Sequence, residues 1–74
     1  MFTRFNSQTS SPYCIEAWDR DGPHCYSAPS HIEARRAAKT LSSNGKYAVI
    51  YRMQENIPQR IENVYRNGIE EQLN

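Results

Sequence analysis

Apolar and polar residues alternate near the start of the chain in a way that predicts a β-hairpin. Residues 13–19 read YCIEAWD and residues 24–28 read HCYSA, with a glycine-containing turn between them. Because proline has no N–H for a strand ladder, we place Pro23 in a loop of residues 20–23, which sets Ile15 opposite Ala28. The face predicted to form the core then carries Tyr13, Ile15, Ala17, Tyr26 and Ala28, and the other face carries Cys14, Glu16, Trp18, Cys25 and Ser27.

A helix is predicted to follow, over Ser30 to Asn44. Ser30 and Glu33 form a capping box at its start, and Asn44-Gly45 supplies a left-handed cap at its end. At 100° per residue, one stripe of this helix is apolar and made mostly of small side chains, which lets the helix lie close on a sheet. The stripe consists of Ala34, Ala37, Ala38 and Leu41.

The rest of the domain is predicted to be one more strand and one more helix. The alternation in KYAVIYRM, from Lys46, predicts a third strand that joins the hairpin. Further on, Pro58 suits a first helical turn and Asn67-Gly68 suits a helix stop. Between them Ile61, Val64 and Tyr65 form a stripe, so a short second helix is predicted.

The predicted fold class is α+β, a three-stranded antiparallel sheet with a helix packed on it, in the order β-β-α-β-α. Residues 1–12 lack periodicity and are predicted to be a flexible N-terminal arm, while residues 69–74 are predicted to be a C-terminal tail. Residues 13–68 then form a single domain. A chain of 74 residues has room for only one thin core.

Charge and hydropathy narrow the classes of function. The formal net charge is +1, so the molecule as a whole has neither the field of a histone nor that of a DNA mimic. No apolar run has the length of a signal peptide or a membrane span, and the predicted location is cytoplasmic, with no membrane partner and with reduced thiols.

The cysteines and histidines do not have the spacing of a metal site. Cys14, His24, Cys25 and His31 run as C-x9-H-C-x5-H, without the close pairs that zinc sites favour. In the register above, Cys14 is offset from Cys25 by about four residues, or roughly 13 Å, too far for a disulfide. We therefore expect two free thiols, no metal and no cofactor.

Catalysis is not expected either. The densest group of ionisable residues is Asp19, Arg20, Asp21 and His24, around the hairpin loop. Such groups are common in solvated turns, and so short a chain leaves little room for a pocket that excludes water. The three glycines are far apart and form no phosphate-binding loop. The chain is predicted not to be an enzyme.

Two surfaces are candidates for binding a partner. The first is Trp18 with the loop residues Asp19, Arg20, Asp21 and His24, because large surface aromatics are typical interface anchors. Trp18 would instead be core if the last helix or the N-terminal arm covered it. The second is a basic stripe on the helix, made of Arg35, Arg36 and Lys39. Such a stripe either contacts phosphate or an acidic protein, or is simply a solvated helix face.

The order hairpin, alanine-rich helix, strand in YCIEAWDRDGPHCYSAPSHIEARRAAKTLSSNGKYAVIYRM resembles that of several very short phage-encoded proteins, including some anti-CRISPR inhibitors. The resemblance implies a compact protein that binds a larger host complex and blocks it. The near-neutral charge departs from the strongly acidic inhibitors that mimic DNA. The first hypothesis is therefore a protein-binding regulator or inhibitor. The alternatives are a small nucleic-acid-binding domain that uses the basic helix face and sheet aromatics, and a homodimeric structural subunit.

Overall fold

The computed structural model describes residues 3–4 and 11–72, and within these it shows one antiparallel sheet with one helix on it. The elements are β1 (Thr3–Arg4), β2 (Tyr13–Asp19), β3 (Gly22–Ala28), α1 (His31–Leu41), β4 (Tyr47–Gln54), β5 (Ile57–Arg66) and β6 (Ile69–Glu71). The strands lie side by side in the order β1-β3-β2-β4-β5-β6. Because β2 lies between β3 and β4, α1 crosses the face of the sheet as the chain passes from one to the other.

The predicted second helix is wrong, since its residues form strand β5. Pairing with β4 sets Val49 opposite Val64 and Tyr51 opposite Ile61, and Glu62 is the extra residue of a β-bulge. The bulge brings Ile61 and Val64 onto one face although they are three residues apart, a spacing that imitates a helix. The prediction of three strands and two helices is therefore replaced, over residues 3–4 and 11–72, by six strands, the first of two residues, and one helix.

Two tight turns build the second half of the sheet. Glu55 and Asn56 have φ of 52° and 66°, and Asn67 and Gly68 have φ of 54° and 77°. Positive φ at both central positions is the mark of the two-residue hairpin turn whose twist matches that of the strands. Asn67-Gly68 is thus a hairpin turn and not a helix stop. Residues 69–71, predicted to be tail, form β6 beside β5.

The predicted arm also contributes to the sheet, because Thr3 and Arg4 pair with β3. The rest of residues 1–10, on which the prediction of an arm also rested, lies outside the described residues. The predicted third strand is confirmed as β4, which pairs with β2.

The predicted hairpin is confirmed, but its register is shifted by two residues. Asp19 lies opposite Gly22, so the loop is only Arg20-Asp21, and Pro23 lies within β3 opposite Trp18. Proline is tolerated there because, among the described residues, β1 pairs with β3 at residues 26 and 27 and no strand pairs with the outer side of β3 at Pro23. A shift of two residues keeps every side chain on its face, so the predicted faces stand.

Helix α1 packs on the sheet through the predicted alanine stripe. Ser30 is its N-cap, and the Ser30 Oγ accepts a hydrogen bond of 3.2 Å from the Glu33 N–H. The helix ends at Leu41 rather than at Asn44, and Leu41 is half-buried. The buried cluster between helix and sheet consists of Ile15, Ala17, Ala28, Ala34, Ala37, Ala38, Ala48, Ile50 and Tyr65.

A network of polar side chains connects β6 to the helix and to β5 through hydrogen bonds. The buried Asn63 accepts a hydrogen bond of 2.6 Å from His31 Nε2 and donates one of 2.7 Å to Glu70 Oε2. Glu70 Oε1 also accepts from the Tyr65 hydroxyl at 3.1 Å and from Arg35 at 3.2 Å. The hydrogen bond from Asn63, followed by those from its other neighbours, lowers the pKa of Glu70.

We predict that Glu70→Ala destabilises the fold by about 1 kcal/mol, or a melting temperature roughly 4 to 8 °C lower. The substitution leaves the Asn63 amide and the Tyr65 hydroxyl without their acceptor, but the exposure of Glu70 limits the loss. Thermal melting followed by circular dichroism measures it. The matched control is Glu71→Ala, which removes one exposed ion pair with Arg66 and should cost less than about 0.5 kcal/mol.

The same pair of variants tests the pH dependence. Because the pKa of Glu70 is lowered in the folded state, its stabilisation is present at neutral pH and is lost as the pH falls through that lowered pKa. The difference in stability between parent and Glu70→Ala should therefore shrink on acidification. Equal effects of the two alanine substitutions at neutral pH would contradict the role given to the network.

Candidate functional site

A row of side chains crosses five strands at one end of the sheet, on the face that does not carry α1. Trp18 lies opposite both Pro23 and Tyr47, Tyr47 lies opposite Arg66, and Arg66 lies opposite Ile69. Directly paired residues of an antiparallel sheet project from the same face. We refer to Pro23, Trp18, Tyr47, Arg66 and Ile69 as the aromatic row, and to the face as the helix-free face.

The aromatic row is accessible at its end of the helix-free face. Trp18 is 41% exposed and Ile69 is 68% exposed. In the neighbouring row, by contrast, Val49 and Val64 are buried. The sequence left open whether Trp18 is core, covered by the last helix or the N-terminal arm, or surface. The structure places it at the surface, and the segment predicted to be the last helix is strand β5.

Arg66 is held flat against an aromatic ring within this row. Its guanidinium carbon lies 4.9 Å from the centroid of the Tyr47 ring, the geometry of a cation–π contact. The Arg66 Nε also donates a hydrogen bond of 3.0 Å to Glu71. These two contacts fix the side chain, so that its charge is presented beside Trp18 and Tyr47 in a defined position.

A cavity of about 600 Å³ opens beside the row, between the hairpin loop and the residues that follow α1. Its lining includes Trp18, Asp19, Arg20, Asp21, Lys46 and Tyr47. The structure therefore brings together four of the residues that the sequence singled out, residues 18–21. It adds Lys46 and Tyr47, which lie next to them because β4 pairs with β2.

Asp19 organises the hairpin loop. Its Oδ1 accepts a hydrogen bond of 2.8 Å from the Asp21 N–H and one of 3.2 Å from His24 Nε2. The bond from Asp21, followed by that from His24, lowers the pKa of Asp19 and keeps it ionised. A carboxylate held in this way shapes a turn and is a weak proton acceptor. His24 lies opposite Ala17, on the helix side of the sheet, and so is separated from Trp18.

The basic stripe lies on the other side of the molecule from the aromatic row. Arg36 and Lys39 are exposed on α1, whereas Arg35 contacts Tyr65 and Glu70. The nucleic-acid hypothesis had combined a basic helix face with sheet aromatics, and the structure places the stripe and the aromatic row on opposite faces of the sheet.

The two cysteines are neighbours, contrary to the separation of about 13 Å expected from the sequence. Cys14 lies opposite Ser27 and Cys25 lies opposite Glu16, so the two occupy diagonal positions on the helix-free face. Both are free thiols. Burial, followed by the proximity of Cys25, raises the pKa of Cys14 to about 12. In the part of the chain that the structure describes, no three His, Cys, Asp or Glu side chains are placed to hold a metal ion.

The sequence missed Arg66 and Ile69 as members of the surface because both belong to a segment that was predicted to be helix and tail. Tyr47 carried a usable signal, since strand alternation sets it on the face opposite Ala48. Comparison with models of protein families, with curated proteins and with solved structures found no match. Among the residues that are described, no helix has the length and apolar character needed to cross a membrane.

Proposed function

We propose that this protein is a non-enzymatic regulator or inhibitor that binds another protein through the aromatic row. The observation that supports it best is the exposure of Trp18 in a row that continues into Tyr47 and Arg66. Tryptophan, tyrosine and arginine are the residue types that contribute most to protein interfaces. Here all three are adjacent, and the arginine is already ordered before a partner binds.

The charges around the row favour a protein over a nucleic acid. Asp19 and Asp21 border the cavity on one side, and Glu71 is paired with Arg66 on the other. Carboxylates in these positions repel a phosphate backbone and offset Arg20 and Lys46. The row itself ends in the apolar side chains of Pro23 and Ile69, which suit the apolar centre of a protein interface.

One observation favours a second candidate, binding of single-stranded nucleic acid. Trp18 and Tyr47 are adjacent on a sheet, with Arg20 and Lys46 exposed beside them. Proteins that bind single strands stack the bases on aromatic side chains and bind the phosphate backbone with basic ones. The basic stripe on α1 would not be part of that site.

A cytoplasmic location and a larger host complex as the target complete the proposal, and both follow from the sequence and from the resemblance to short phage-encoded inhibitors. A homodimer formed through the aromatic row would be an alternative use of the same surface. Sedimentation of the parent and of Trp18→Ala distinguishes it, because only a dimer formed through this row would dissociate on the substitution.

The deciding experiment compares three immobilised proteins: the parent, Trp18→Ala and Ile32→Ala. Ile32 is the control because it is also apolar and is 62% exposed, but lies on α1. Each is exposed to a nuclease-treated lysate of candidate host cells, and retained proteins are identified by mass spectrometry. We expect a protein retained by the parent and by Ile32→Ala but not by Trp18→Ala. Retention that is indifferent to Trp18, or that occurs in an untreated lysate but not in the nuclease-treated one, would contradict the proposal.

A further inference from the structure

The Cys14 and Cys25 thiols are placed as a reactive pair. They project from adjacent strands onto the helix-free face, and the pairing of Cys14 with Ser27 and of Glu16 with Cys25 makes them diagonal neighbours. Such neighbours have Cα atoms about 7 to 8 Å apart, just beyond the usual limit of about 7 Å, so a disulfide requires a small movement of the two strands toward each other. The two thiols also influence each other, since the proximity of Cys25 is among the causes that raise the pKa of Cys14.

The two thiols differ in access to solvent. Cys14 is 6% exposed, whereas Cys25 is half-buried. Both line a cavity of about 300 Å³ that is also bordered by Glu16, Tyr51 and Met53. A reagent from solution therefore reaches Cys25 first, and space is available beside both sulfur atoms for a small oxidant. Cys14 is protected from direct attack but lies within reach of whatever is attached to Cys25.

We propose that Cys14 and Cys25 form a reversible intramolecular disulfide by exchange with a low-molecular-weight disulfide such as glutathione disulfide. The Cys25 thiolate attacks one glutathione sulfur, which breaks that S–S bond, forms a mixed disulfide and releases one glutathione thiolate. The Cys14 sulfur then gives up its proton and attacks the Cys25 sulfur, releasing the second glutathione. Two protein thiols are oxidised, one glutathione disulfide is reduced, and the two protons go to the two glutathione thiolates.

The cross-link would join β2 to β3 near the aromatic row. On β3, Cys25 is two residues from Pro23, and on β2, Glu16 lies between Cys14 and Trp18. It would hold the two strands that carry Trp18 and Pro23 in one register. The formation of the disulfide does not depend on the proposed function, and it is tested separately.

The test incubates the dilute parent, Cys14→Ser and Cys25→Ser with glutathione buffers of increasing oxidised fraction, followed by alkylation and intact-mass measurement. The parent is expected to lose both free thiols, to be lighter by two hydrogen atoms, to stay monomeric, and to regain both thiols with excess dithiol. Cys14→Ser should accumulate a mixed disulfide with glutathione on Cys25. Cys25→Ser should keep a free thiol, because Cys14 is buried.

Three results would overturn the proposal: a stable glutathione adduct on Cys25 of the parent with Cys14 free, a disulfide between two molecules, or two thiols that persist under every buffer. The product distribution of the parent decides the matter even if a serine variant fails to fold. Peptide mapping of the oxidised parent must show Cys14 bonded to Cys25. The oxidation is repeated on the denatured parent. A disulfide that forms more readily in the folded protein than in denaturant is directed by the fold, whereas equal formation is what any pair of thiols in one chain would show.

Discussion

Replacing Ile50 with alanine is expected to leave a large fraction of the protein unfolded at room temperature. Ile50 is fully buried in β4, a central strand, under helix α1. Removing a buried isoleucine side chain costs about 2 to 5 kcal/mol, because the apolar contacts are lost and a cavity remains. A single core of this size supplies only about 3 to 5 kcal/mol, so the loss is comparable with the whole stability. Urea unfolding followed by circular dichroism measures it.

Ile57→Ala is the matched control for Ile50→Ala. It is the same chemical change in the adjacent strand, but Ile57 is 60% exposed, so the cost should stay within about 0.5 kcal/mol. A third variant is Leu41→Ala, at a position that the sequence placed on the apolar stripe of the helix. Because Leu41 is half-buried at the end of α1, its loss should lie between the two. If Ile50→Ala unfolds at the same urea concentration as Ile57→Ala, the assignment of the core is wrong.

The parts of the fold that could be predicted from the sequence are those governed by local signals. The start of α1 depends on Ser30 and Glu33, which are three residues apart, and the helix does begin after Ser30. Strand alternation placed Ile15 and Ala17 on the core face, and it did so even though the hairpin register was wrong by two residues. Side chains alternate between the two faces of a strand, so a register error of two residues leaves each side chain on the same face.

The parts that could not be predicted depend on pairing between distant residues. In β5 the bulge at Glu62 sets Ile61 and Val64 on one face, and the sequence cannot distinguish that spacing from a helical turn. The polar network stabilises the strand pairing in the folded protein, since Asn63 donates to Glu70 when β5 and β6 pair. Asn67-Gly68 was ambiguous, because the dipeptide suits a helix stop and a hairpin turn equally.

The candidate surface was predicted in part for the same reason. Trp18 and the loop beside it follow from residues that are close in sequence. Arg66 and Ile69 join them only through three successive strand pairings, from β2 to β4, β5 and β6. The surface that we propose for binding is thus a product of the whole sheet, and its residues lie in four different strands besides β2.

Trp18→Ala is expected to weaken binding to a protein partner by about 30-fold or more, or roughly 2 kcal/mol. The substitution removes the largest exposed apolar side chain of the aromatic row and leaves Tyr47 without its neighbour on β2. Titration calorimetry with the purified partner measures the loss. Ile32→Ala and Arg36→Glu, both on α1, serve as controls that should bind as the parent does, once melting has shown that every variant is folded.

Salt dependence then separates a protein partner from a nucleic acid on the same surface. An interface anchored on Trp18 should weaken only modestly as salt rises, because most of its binding energy comes from apolar burial. Binding to a single-stranded oligonucleotide should fall steeply with the logarithm of salt concentration, and Lys46→Gln should reduce that slope by up to about one if Lys46 contacts a phosphate. Tight, steeply salt-dependent binding to oligonucleotides that survives Trp18→Ala and fails in Arg36→Glu would instead assign the function to the basic stripe. If Trp18→Ala, Lys46→Gln and Arg36→Glu all bind an identified partner as the parent does, neither the aromatic row nor the stripe is the binding surface.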